Sequence, residues 1–104
     1  MFRVENCEVY YRGVTHMEAG TFTTPEGGNI KFDSCYKLEC DIVDPETRKP
    51  ATIIFRIKDD EKGKNLASDL SLRPTFTKLL LSFDVVLNKS NQAKLWVIDC
   101  IIDD

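Results

Sequence analysis

Residues 23–58 read TTPEGGNIKFDSCYKLECDIVDPETRKPATIIFRIK, and this stretch decides the fold. Two segments that alternate in polarity, 30–42 and 51–58, are separated by a turn rich in proline and charge. Because successive side chains of a strand point to opposite faces, each segment indicates a strand with one face toward a core. The positions predicted to face inward are Ile30, Phe32, Ser34, Tyr36, Leu38, Cys40, Ile42, Ile53, Phe55 and Ile57.

The same pattern extends outward on both sides of this stretch. Residues 2–24 indicate a long first strand, which Gly13 and Gly20 bend, and Gly27-Gly28 makes the turn into the second strand. After 51–58 a polar stretch leads to a short helix over 65–70, with Asn65 as its N-cap. Two further strands follow, over 75–87 and 95–102. The order is strand, strand, strand, helix, strand, strand.

Length and charge narrow the class of protein. The 104 residues predict one domain over 1–104, and an apolar fraction of 42% is ordinary for a globular chain. We expect a cytoplasmic protein without membrane contact, since no apolar run approaches the roughly 20 residues of a membrane span. A net charge of −3 argues against binding nucleic acid by bulk charge and allows it only through a local basic patch.

The residues that most often carry chemistry are sparse. Cys7, Cys35, Cys40 and Cys100 lie inside predicted strands without a Cys-x-x-Cys pair, so we expect free thiols and neither a disulfide nor a metal site. His16 is the single histidine and is interpreted as a surface residue. The acidic residues 59–61 are interpreted as a solvated turn. No cofactor and no enzymatic activity are expected.

An all-β chain with one short helix between its third and fourth strands has the element order of the OB-fold, a five-stranded Greek-key barrel. The chain resembles the small OB-fold single-stranded DNA-binding proteins of phages and conjugative elements. Four stretches carry this resemblance: GNIKF through YKL at 28–38, IFRI at 54–57, LSFDV at 81–85 and WVID at 96–99.

The resemblance implies that a single strand of DNA crosses the outer face of the second and third strands. The loops 24–29 and 88–93 would border this site. Tyr36 would join it if a bulge reverses the local alternation, and otherwise belongs to the core. The other implied binding residues are Lys31, Lys37, Arg56 and Lys58 on the outer face, Tyr10 and Arg12 beside them, and Lys89 and Lys94 near the second loop.

Two features set limits on the implied site. The outer face of the second strand also carries Asp33, Glu39 and Asp41, which confines attraction for phosphate to the end near the glycine turn. The aromatic Phe32, Phe55 and Phe83 are expected to face inward, and the placement of Trp96 stays open, with the core favoured over the outer face. The implied partners are single-stranded DNA, a replication or transfer protein, and a second copy of the chain in a homodimer.

A different class of function stays open. The acidic composition and the last strand, apolar on both faces, also suit a small protein-interaction or phage assembly module that binds no nucleic acid. The acidic end, Asp103 and Asp104, is too short to resemble the partner-recruiting tails of bacterial single-strand binders.

Overall fold

A computed structural model describes residues 1–103. Asp104, the last residue of the predicted domain and of the acidic end, lies outside the described residues. Residues 1–103 form seven strands and one helix. In chain order these are β1 Phe2–Met17, β2 Gly20–Thr23, β3 Asn29–Phe32, β4 Cys35–Val43, β5 Pro50–Lys58, α1 Glu61–Ser71, β6 Lys78–Leu87 and β7 Ala93–Asp103.

Five of the strands close on themselves in the order β1-β4-β5-β7-β6, with β6 returning to β1. We call these five strands the closed sheet. The first half of β1 pairs with β6 and its second half with β4, and bulges at Val4/Cys7 and Tyr11/Gly13 let it turn between them. All pairs are antiparallel except the contact of β5 with β7. The predicted all-β class with one helix is confirmed.

The core fills the inside of the closed sheet. Leu38 and Cys40 of β4 and Phe55 and Ile57 of β5 are buried, as their alternation predicts. The ring of Phe55 meets the ring of Phe83 from β6 edge-on, with centroids 4.9 Å apart. Such aromatic pairs contribute about 0.5–1.5 kcal/mol beyond the area they bury.

The helix begins four residues before the predicted N-cap. Asp60 is the N-cap, because its side chain accepts a hydrogen bond of 2.7 Å from the backbone N–H of Gly63. The prediction of a helix limited to 65–70 was therefore wrong. Of the solvated turn predicted at 59–61, Asp59 and Asp60 form an exposed bend, whereas Glu61 begins the helix. Leu70 and Ala67 are buried, and α1 contacts β1 and β5. Within residues 1–103 no helix is long and apolar enough to cross a membrane.

The first and second predicted strands each break in two. The ladder between β1 and β4 ends at Met17 and Cys35, after which β2 and β3 pair with each other as a separate two-stranded sheet. We call residues 18–34 the arm. Within the long bent first strand expected over 2–24, β1 ends at Met17 and β2 begins at Gly20. The expectation of one continuous strand over 30–42 was wrong, because the alternation of polarity continues through the junction while the pairing partner changes.

The four cysteines are free thiols, as predicted. Cys35 and Cys40 are buried, and Cys7 and Cys100 are half-buried. Burial raises the pKa of the Cys40 thiol to about 12 and that of the Cys100 thiol to about 11. The reactive thiolate form is therefore scarce at neutral pH.

The packing of α1 leads to a first prediction, Gly63→Ala. A Cβ at Gly63 would overlap the carbonyl oxygen of Lys58 and touch Cγ2 of Ile57. We expect a loss of about 1–3 kcal/mol in the free energy of unfolding by urea, despite the better helix propensity of alanine. Gly13→Ala is the control, because no atom lies within 4 Å of its added Cβ. Equal urea midpoints for the two variants would contradict this packing.

The thiols give a second prediction, which concerns their rate of alkylation. Iodoacetamide at about pH 8 should modify Cys40 and Cys100 of the folded protein far more slowly than the same residues in denaturant, because burial disfavours their thiolates. Mass spectrometry of tryptic peptides measures each site. Alkylation of Cys40 at the same rate before and after denaturation would show that this thiol is not enclosed.

Candidate nucleic-acid interface

A groove of about 440 Å³ lies between the arm and the closed sheet. We call it the arm groove. Its walls combine apolar and aromatic side chains with three cations and one carboxylate. The lining residues are Met17, Phe22, Ile30, Lys31, Phe32, Asp33, Cys35, Arg56, Lys94 and Trp96.

The arm contributes an apolar face. Phe22 pairs with Ile30 and Gly20 with Phe32, and directly opposite residues of a hairpin share a face. A Cβ at Gly20 would come within 2.9 Å of the ring of Phe32, so the glycine makes room for that ring. Phe22, Ile30 and Phe32 are 55%, 51% and 43% exposed. The expectation that Ile30 and Phe32 face the core was wrong, because the arm extends beyond the closed sheet.

The opposite wall comes from the parallel contact of β5 and β7. This contact sets Arg56 beside Trp96, and both side chains are half-buried. A guanidinium N–H of Arg56 donates to the Sγ of Cys35 at 3.7 Å. The expectation of Trp96 in the core was wrong, because it lies on the outer face of β7. Lys94, two residues earlier on the same strand, is exposed at the rim.

The groove is locally basic in an acidic chain. Lys31, Arg56 and Lys94 stand against the single carboxylate of Asp33, while the whole chain carries −3. Lys31 and Lys94 form no ion pair with any residue in 1–103. Both side chains are exposed, so their charges are available to an anionic ligand.

Lys37, Lys58 and Lys89 do not line the groove. Lys37 is opposite Arg56 on the neighbouring strand and forms an ion pair of 3.2 Å with Glu39. Lys58 lines a second cavity, of about 450 Å³, beside the start of α1. Lys89 is exposed in the turn between β6 and β7.

Tyr10 and Arg12 are far from the groove, near the other end of β4. Arg12 lies 3.3 Å from a carboxylate oxygen of Asp41, which is buried and also accepts a hydrogen bond of 2.9 Å from Thr52. Asp41 is six residues from the groove end of β4, about 20 Å along an extended strand. Tyr10 donates to Glu8 at 3.2 Å. The guanidinium of Arg12 thus compensates a buried carboxylate, which is a structural role.

Tyr36 packs against the core, which is one of the two placements that the sequence left open. It is half-buried against the core, and its ring meets the ring of His16 with centroids 4.9 Å apart. His16 lies 2.8 Å from Asp59, which also accepts a hydrogen bond of 2.7 Å from Ser34. We call His16, Ser34, Tyr36 and Asp59 the junction cluster, because they surround the point where the arm leaves the closed sheet.

The order of bonds in the junction cluster limits its chemistry. Asp59 stands between the serine and the histidine, so His16 is not positioned to take the proton of the Ser34 hydroxyl. Residues 1–103 contain no group of three or more His, Cys, Asp or Glu side chains that would hold a metal ion. The arrangement of the cluster suits a structural hydrogen-bond network.

Phe22 was missed by the sequence analysis. The signal was nevertheless present, since a four-residue strand on each side of the turn at 24–28 places Phe22 directly across from Ile30. In that turn Thr24 and Gly28 exchange hydrogen bonds, and Gly27 has a φ of +85°. The turn chemistry therefore predicts a hairpin at this point, in which Phe22 faces Ile30. The sequence gives no comparable sign that this hairpin lies outside the core.

Comparison of this chain with family models, with curated proteins and with solved structures finds no match.

Proposed function

We propose that this chain has an OB-like fold and binds single-stranded DNA in the arm groove without sequence specificity. Following the family resemblance, its role is that of an accessory protein in replication or transfer of a phage or mobile element. The main support for this proposal is one structural observation. The aromatic rings of Phe22, Phe32 and Trp96 line the same groove as three cations, Lys31, Arg56 and Lys94.

The strand arrangement supports the fold assignment. The closed sheet has five strands, and α1 lies between its third and fourth strands in chain order. The groove is formed on the outer side of β4 and β5, next to the hairpin that connects the first two strands of the closed sheet. These are the positions where OB-folds hold oligonucleotides.

The chemistry of the groove suits a single strand. Unpaired bases present flat faces that stack on aromatic side chains, at about 1–3 kcal/mol per base. Ammonium and guanidinium groups beside those rings pair with the phosphates between the bases. Because stacking accepts every base, the expected binding is tolerant of sequence. A duplex keeps its bases stacked inside, so it offers the phenylalanines and Trp96 no free face.

A second candidate function follows from the exposed apolar face of the arm. Phe22 and Ile30 would also suit an apolar protein surface, including that of a second copy of this chain. Light scattering and oligonucleotide titration distinguish the two functions. A stable oligomer whose assembly is lost in Phe22→Ser, together with no binding of oligo-dT at low salt, would favour the protein-interaction module.

The charges of the groove give a third prediction, for Lys31→Gln, Arg56→Gln and Lys94→Gln. Fluorescence anisotropy with labelled oligo-dT, at about 50 mM and about 200 mM salt, measures the affinity and its salt dependence. Three phosphate contacts predict a slope of about −2 in log K against log salt, and each variant should reduce its magnitude by about 0.7. The affinity of each variant should fall at low salt.

Lys49→Gln is the matched control for this series, because it removes one charge from the exposed turn between β4 and β5, at the far end of both strands. Its salt slope should equal that of the unmodified chain. If all four variants lose affinity equally, binding depends on net charge and the arm groove is not the site.

A further inference from the structure

A second cavity, of about 450 Å³, lies beside the start of α1, and the proposed function makes no use of it. We call it the α1 cavity. Its volume lies within the range of about 300–1,000 Å³ that is usual for sites that bind small molecules. Core side chains form its floor, since Ile57 and Val97 are buried and Leu66 of α1 is partly buried against the core. The cavity is therefore apolar at its base and is fixed by the packing of the closed sheet.

Trp96 connects the α1 cavity with the arm groove, because this residue lines both. On β5, Arg56 lines the groove and Lys58 lines the cavity. These two residues share one face of the strand, with their Cα atoms about 7 Å apart. The groove and the cavity are thus adjacent at Trp96, and one strand of DNA can occupy both.

The cations of the α1 cavity are Lys58 and Lys62. Lys58 is exposed and forms no ion pair with any residue in 1–103. Lys62 donates a hydrogen bond of 3.0 Å to the carbonyl oxygen of Ile98. Lys58 is therefore available to pair with a phosphate next to the arm groove.

Three carboxylates also line the α1 cavity, and each already has a donor within the protein. Asp60 and Asp99 each accept a hydrogen bond from a backbone N–H, at 2.7 Å and 3.0 Å. Asp84 pairs with Arg3 at 2.9 Å and interacts electrostatically with Lys58 at longer range. Because an ionised carboxylate has about four acceptor sites, each retains some for a ligand.

This set of charges suits a base better than a phosphate. The carboxylates would repel a phosphate inside the α1 cavity. A nucleobase is uncharged, and the carbonyl and N–H groups on its edge match the ammonium and carboxylate groups at the rim. Its flat faces suit the apolar floor and the ring of Trp96.

We propose that the α1 cavity receives one base of the same single strand that lies in the arm groove, with Lys58 paired to the phosphate beside that base. Trp96 then stands between this base and the bases in the groove. The inference rests on the proposed function, since it extends the path of the strand. It adds Lys58 and the walls of the α1 cavity to the binding site.

Isotope-filtered NOE spectroscopy on the labelled full chain, with unlabelled oligo-dT at about 50 mM salt, tests this placement. Ile30 lines the arm groove and Ile98 lines the α1 cavity, so their Cδ1 methyl groups report on the two sites separately. We expect intermolecular NOEs from thymine protons to both methyl groups. Ile42, which packs against the core near the far end of β4, is the control and should show none.

The outcomes distinguish this inference from the proposed function. NOEs to Ile30 without any to Ile98 would overturn the inference and leave the proposed function standing. NOEs to Ile98 without any to Ile30 would refute binding in the arm groove and keep a base in the α1 cavity. If free thymidine at the same concentration gives the NOEs to Ile98, the cavity binds a nucleoside independently of the strand and the inference is wrong.

Filling the α1 cavity should weaken binding. Val86 is half-buried and lines this cavity, so the ring in Val86→Phe would take space that the base needs. Loss of one stacked base predicts an affinity for oligo-dT roughly 5- to 100-fold lower, with the NOEs to Ile30 retained. Val43→Phe adds the same ring at the exposed end of β4 and should bind like the unmodified chain. Equal affinities of these two variants would contradict the inference.

Lys58→Gln gives a test that does not depend on packing in the cavity. With Lys58 as a fourth phosphate contact, the slope of log K against log salt should be about −3 for an oligonucleotide that fills both sites, and the variant should return it to about −2. Lys49→Gln should leave the slope unchanged. A slope for Lys58→Gln equal to that of the unmodified chain would show that this ammonium contacts no phosphate and would overturn the path through the α1 cavity.

Discussion

The structure depends on one strand pairing with two neighbours. β1 runs along β6 with its first half and along β4 with its second, and its two bulges provide the bend. Once β1 joins these strands, β5 and β7 meet as a parallel pair and the sheet closes. That contact sets Arg56 beside Trp96, two residues forty positions apart in the sequence. The same pairing ends at Met17 and Cys35, where the arm leaves the closed sheet. The two walls of the arm groove are therefore consequences of a single strand register.

Sequence patterns predicted the closed sheet better than they predicted the groove. Alternation identified the inward residues Leu38, Cys40, Phe55 and Ile57, because a two-residue period reports which side chains share a face. The alternation does not show whether another part of the protein packs over that face. Phe32 continues the same alternation as Leu38, yet lies past the end of the β1–β4 ladder, where no strand of the closed sheet packs over it. Trp96 was misplaced for a similar reason, since both faces of β7 are apolar and periodicity cannot orient such a strand. The predicted helix was too short because an acidic stretch such as the one around Asp60 is typical of a loop. In the structure the carboxylate of Asp60 accepts a hydrogen bond from the backbone N–H of Gly63 and caps the helix.

In an acidic protein a groove can be locally basic only if most carboxylates are paired with cations or lie away from the groove. Asp84 is paired with Arg3 at 2.9 Å and Asp41 with Arg12 at 3.3 Å, and both pairs lie outside the groove. The Arg3–Asp84 pair lies at the surface and contributes little to stability, whereas the carboxylate of Asp41 is buried and depends on Arg12 for compensation. The carboxylates of Asp84 and Asp41 therefore do not face the groove, where Lys31, Arg56 and Lys94 stand against Asp33 alone beside three aromatic rings. The overall charge of −3 is thus compatible with a local site for phosphate, whose affinity should be modest and sensitive to salt.

If bases stack against the aromatic wall of the arm groove, Trp96 reports on that contact directly. It is the single tryptophan of the chain, so its fluorescence can be followed during a titration with unlabelled oligo-dT at low salt. We expect saturable quenching that is reversed by added salt and is absent with a duplex of the same length. If the fluorescence of Trp96 stays constant while anisotropy shows that the oligonucleotide is bound, the bases do not stack in the arm groove and the ligand lies elsewhere.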